Sequence, residues 1–139
     1  MSTFIPPGVS SSFDIVIPLT GENQVLAVGT VLTNTRWARD CILEGIPLWS
    51  VNTASTGSTI QLDIRVAGVS IFATPPTIDA GELGSDTAAV PAVFSAAFTT
   101  AGSRINRLSV VTFHVLQVGI SPNQGKGLKV AIPARRAAT

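Results

Sequence analysis

One histidine, one cysteine and eight carboxylates are the candidates for general-base and metal-ligand chemistry in this 139-residue chain. Their spacing limits that chemistry further. His114 lies in the middle of the apolar run VVTFHVLQV. A general base needs a nucleophile beside it and an acid to orient it, and no neighbour in sequence supplies either. It reads as a hydrogen-bonded structural or interface histidine, whose protonation would make an interface sensitive to pH. Cys41, in CILEG, reads as a small buried hydrophobe, and as the only cysteine it can form no intrachain disulfide. One His with one Cys cannot close a tetrahedral zinc site. Asp79, Glu82 and Asp86 cluster in DAGELGSD, but without the alternating Asp/Asn ligands of a calcium loop. That stretch reads as a polar turn shaped by Asp79 and Gly81. GKG at 125–127 lacks both the Walker spacing and the hydroxyl after its lysine. A glycosidase or esterase would need the fold to bring Asp63 and Asp79 together. Enzymatic function and bound cofactors therefore find no positive support.

Binding chemistry is equally sparse. Trp37 and Trp49 could stack on sugars in a glycan-binding module, or serve as core or interface anchors. Arg104/Arg107 and Arg135-Arg136 are too few for a nucleic-acid footprint, and a net charge of +1 provides no long-range field. No apolar run approaches the roughly 20 residues of a membrane helix. The start MSTFIPPGVSSS lacks the basic region and apolar core of a signal peptide. A soluble, cytoplasmically made product, with no nucleic-acid or membrane partner, is the expectation. Charged residues make up only 12% of the chain, against about 25% in ordinary soluble domains. A surface so poor in charge is either rich in Ser, Thr and Asn or covered by other protein.

The elements that must hold these residues are strands. In STIQLDIRVAGVSIF, Ile60, Leu62, Ile64 and Val66 alternate with Gln61, Asp63 and Arg65, the period of a strand with one dry face. Ala67-Gly68 interrupts the run as a tight hairpin turn, with Gly68 free to take positive φ. Phe13–Leu19 is a first strand, placed at an edge by Pro18, with Phe13, Ile15, Ile17 and Leu19 on one face. Gln24–Leu32 is a second strand and Thr33-Asn34-Thr35 a loop. The stretch RDCILEGIPLWSV reads as interrupted strand rather than helix. Arg104–Gln117 gives the longest β signal. Val111, Phe113 and Val115 lie on one face, and Val110, Thr112, His114 and Leu116 on the other. A strand apolar on both faces is either central or pressed against a partner chain. Leu128, Val130 and Ile132 mark the last strand.

About eight short strands with turn signals every eight to twelve residues indicate an all-β fold. The expectation is an antiparallel β-sandwich, and specifically a jelly roll. It occupies residues 13–133, between an extended N-terminal arm at 1–12 and a C-terminal tail at 134–139.

The run STIQLDIRVAGVSIFATPPTIDAGE, followed by AAVPAVFS, VVTFHVLQVG and GKGLKVAI, resembles a family of tailed-bacteriophage virion proteins. Members share a strand ending in DIR, an NG-type hairpin, an I(D/N)AGE turn and a closing GkGLkV hairpin. The resemblance spans about Ser58 to Ile132. This chain departs from it at Ala67, where Asn is usual, and at Phe113, His114 and Leu116, where acidic residues usually face outward. The resemblance implies a capsid decoration (cement) protein on the virion exterior, bound as a homotrimer to the major capsid protein. It also admits a fibre or tail-associated module recognising host glycans through Trp37 and Trp49. For the decoration role, the contacts expected with the capsid or between subunits are Phe4, Ile5 and Pro6 of the arm and Phe113, His114 and Leu116 of the long strand.

Overall fold

The computed structural model describes residues 12–137. The arm contacts Phe4, Ile5 and Pro6 lie outside the described residues. Strands follow in the order β1 (Ser12–Pro18), β2 (Gly29–Arg36), β3 (Cys41–Leu43), β4 (Leu48–Ser50), β5 (Ile60–Val66) and β6 (Val69–Ser70). After them come β7 (Phe72–Thr74), β8 (Thr77–Ile78), β9 (Val93–Phe94), a short helix α1 (Ala96–Thr100), β10 (Arg104–Ile105), β11 (Val110–Gln117) and β12 (Lys129–Arg136).

All pairing is antiparallel. One sheet runs β1-β12-β3-β10, with β4 also paired to β12, and the other runs β2-β11-β5-β6, with β8 also on β5. A small β7-β9 ribbon completes the pairing. Strand alternation sends Val130, Ile132 and Ala134 of the first sheet inward, and Ile60, Leu62, Ile64, Val111, Phe113 and Val115 of the second; all nine are buried. Trp49 on β4 meets Phe113 on β11 edge to face, with ring centroids 6.3 Å apart at 66°. This contact joins the two sheets across their common core, and the fold is an all-β sandwich. Phe72, Phe94 and Phe98 extend that core around the ribbon and helix, with centroid distances of 5.6 and 5.0 Å. Ser95 caps α1 by accepting the Phe98 N–H at 3.1 Å.

The hairpin read from Ala67-Gly68 forms between β5 and β6, and both turn residues have positive φ, +51° and +82°. Positive φ at both positions is the type I′ requirement, and it suits Gly but strains Ala. The Ala67 N–H donates to Val110 O at 2.9 Å, so pairing with β11 holds the strained residue in place. Ala67→Asn keeps that donor and relieves the strain. It is expected to raise unfolding stability by about 1 kcal/mol, seen as a higher urea midpoint with unchanged slope.

Several boundaries differ from the sequence reading. Thr33-Asn34-Thr35 is not a loop but part of β2, which starts only at Gly29; before it Val25 makes just an isolated bridge to Lys126. The long β signal is broken: Leu108 takes a φ of +68°, and Ser109 N–H bonds Asn106 O at 3.1 Å, a turn separating β10 from β11. The tail is strand as far as Arg136, because β12 pairs with β1 on one side and β3 on the other, which satisfies backbone that a tail would leave to water. Ser12, assigned to the arm, opens β1 and pairs with Arg135.

Candidate interaction surface

His114 faces outward from β11 and does not meet a nucleophile. Its Nδ1 is 3.1 Å from Thr30 Oγ1 on β2 and its Nε2 is 2.7 Å from Thr112 Oγ1, two residues back on its own strand. Hydroxyls donate or accept as required, so both ring nitrogens are served in either tautomer. Asp63 lies directly opposite on β5, but its carboxylate accepts from Arg65 Nε at 3.0 Å and from Ser70 Oγ. Histidine, aspartate and serine thus share one sheet face, yet the histidine bonds neither of the others, and the relay of a catalytic triad is not assembled. The row is a satisfied polar network that pins the register of four strands.

Burial, and after it the guanidinium of Arg65, hold the His114 pKa below its ordinary value, with Asp63 opposing. A folded-state value below the unfolded one means that the unfolded chain binds more protons as pH falls through the unfolded pKa, about 6.5. Stability from this group is therefore complete above that pH and declines below it. His114→Gln is expected to lose less melting temperature than the parent between pH 7.5 and 5.5. An equal loss in both proteins would assign the acid sensitivity to the carboxylates.

The other residues expected to make contacts separate into two groups. Leu116 is exposed, on the same outer face as His114. Phe113 is fully buried within its own chain, because strand alternation turns it to the Trp49 side, so it cannot be a contact residue. The same correction applies to both tryptophans: Trp37 and Trp49 are core residues at 6% and 0% exposure, and neither can stack on a sugar. Among the described residues no group of three or more His, Cys, Asp or Glu is placed to hold a metal. In the DAGELGSD turn, Asp79 instead accepts the Ala89 N–H at 2.8 Å and Glu82 the Thr87 hydroxyl at 2.7 Å. No helix among the described residues is long and apolar enough to cross a membrane.

The outer face of the first sheet shows something that the candidate residues did not include. Register places Val16 of β1 opposite Ala131 of β12, and Ala131 opposite Leu48 of β4. Val16 is 65% exposed and Leu48 45%, and Ile46, two residues before Leu48, is also exposed. This apolar row crosses three strands where solvent-facing positions ordinarily carry polar side chains. Ile46 and Leu48 also line a groove of about 250 Å³ with Pro76, Pro91 and Ala92 among its other walls. The row ends at β1, which among the described residues pairs with β12 alone, with no strand described along its other edge from Phe13 to Pro18. Of the edge protections common in natural sheets, β1 has only Asp14 and the terminal Pro18. By contrast β2, the outer strand of the other sheet, carries Arg36 and is irregular in its pairing at two points. The signal was present in sequence as Val16, a β-branched residue on the wet side of FDIVIPL.

Comparison with protein-family models, with curated protein sequences and with solved structures finds no match to the chain.

Proposed function

We propose that this chain is a non-enzymatic structural protein of a tailed-bacteriophage virion, a capsid decoration protein bound to the outer shell as a homotrimer. The observation that carries the reading is the apolar row Val16–Ala131–Leu48 running to β1, which among the described residues pairs with β12 alone. Such a row and edge gain free energy by burial against protein and, left bare, invite uncontrolled association. The motif resemblance over Ser58–Ile132 supplies the virion setting, and the small charged fraction agrees with a surface that is largely covered. A protein of this kind strengthens a shell by adding interface area across subunit junctions. His114 and Leu116, on the opposite outer face, are free for contacts between copies. The test adds the purified chain to expanded empty shells of the phage that encodes it. Co-sedimentation with the shells and a higher shell melting temperature are expected. Absence of both would end the decoration reading.

A further inference from the structure

The near-neutral chain is electrically lopsided. Arg36, Arg39, Arg104, Arg107, Arg135 and Arg136, six of the nine basic residues, gather at one end of the sandwich where β2, β3, β10 and β12 meet. Asp14 and Glu44 lie beside Pro133 of β12, short of the arginines. Asp40 is the acid set among those arginines, and it is already engaged. One of its oxygens is 3.0 Å from Arg104 Nη2, and the other accepts the Arg107 backbone N–H at 2.6 Å. Glu22, Asp79, Glu82 and Asp86 belong to loops at the other end, tied to 50–55 and 126–129.

At the arginine end of the first sheet, beside the loop that leads into β3, opens a cleft of about 480 Å³ lined by Phe13, Ala38, Arg39, Cys41 and Arg136. Burial, and after it Asp40, hold the Cys41 thiol pKa above its ordinary value, while Arg136 and Arg39 lie near enough to oppose them. Neither arginine takes part in an ion pair among the described residues. Residues 1–11 and 138–139 contain no Asp or Glu, so they hold no side-chain carboxylate for them either. Two unpaired guanidinium groups over an apolar floor select a ligand that joins an anionic group to an apolar one. Arginine forks match carboxylates and phosphates alike, and the apolar floor beside them suits a peptide carboxylate with an aliphatic neighbour. A nucleic-acid strand would need successive stacking platforms along a basic track. Phe13 is the one aromatic among the exposed large hydrophobic residues described, and both tryptophans are buried.

We propose that this cleft receives an acidic segment of the capsid protein, with a carboxylate on Arg39 and Arg136 and an apolar side chain against Phe13. The inference rests on the decoration reading for the identity of its partner, but its chemistry can be tested without a shell. The probes are a fluorescent peptide alternating Glu and Leu, its Gln/Leu counterpart, and a labelled oligothymidylate, each followed by anisotropy with the full chain. The Glu/Leu peptide should bind best. Arg39→Gln with Arg136→Gln should weaken it about tenfold, the scale of one lost charge-assisted hydrogen bond, with no change in melting temperature. Arg107→Gln with Arg135→Gln removes the same charge outside the cleft and should cost less than about threefold. Equal losses in the two double variants would reduce the site to a diffuse field and overturn it. So would tighter binding of the oligothymidylate, or no preference for Glu over Gln. In shell co-sedimentation, parent binding that survives Arg39→Gln/Arg136→Gln defeats this proposal and leaves the decoration reading standing. Failure of the parent to bind shells, with the peptide preference intact, defeats the reading and its named partner but not the cleft's chemistry.

Discussion

Phe113→Ala is expected to cost about 3–5 kcal/mol of folding stability, a large share of the roughly 5–15 kcal/mol an ordinary domain possesses. The ring is fully buried and packs edge to face on Trp49 across the two sheets, so truncation leaves a cavity at an aromatic contact that joins them. Denaturant unfolding of the isolated chain measures it, and the loss should appear at every protein concentration. If the variant kept its unfolding midpoint and lost only association, Phe113 would be an interface residue and the present packing of β11 would be wrong.

The second large effect falls on the opposite kind of residue. Val16→Asp together with Leu48→Asp places two carboxylates on the apolar row, where both side chains are exposed in the single chain. Folding stability should move by no more than about 0.5 kcal/mol for each exposed site. Binding to the shell should fall by about a hundredfold or more, since burying an unpaired charge in an interface removes several kcal/mol. The change in stability and the change in binding are thus expected to separate cleanly, the reverse of the Phe113 result. Loss of melting temperature in step with loss of binding would show that the row supports the fold and not an interface.

These two substitutions also mark what could be read before the fold was known. Alternation in IQLDIRV identified the dry face of β5, and the Ala67-Gly68 turn, because period and turn chemistry are local properties. The outward position of His114 was legible for the same reason. Its partners were not, since Thr30 lies 84 residues away and is brought opposite by strand pairing. Phe113 was mistaken for a contact because both faces of β11 are apolar in sequence, and nothing local says which one a second sheet will cover. The tryptophans failed similarly: an aromatic residue in a short strand between loops looks the same whether it packs inward or outward. Arg104/Arg107 and Arg135-Arg136 read as two separate pairs, and Arg39 drew no reading at all. Only the closure of β3 between β10 and β12 gathers them at one end. Local pattern therefore reached the elements, and long-range pairing decided the surfaces.

Hydrogen–deuterium exchange on the chain, free and seated on expanded shells, addresses the claimed burial of the first sheet most directly. The account predicts slowed exchange in residues 12–18 and 46–50 on binding, with 29–36 at the outer edge of the second sheet unchanged. Protection confined to 29–36, or none at 12–18 with the shell fully occupied, would contradict it.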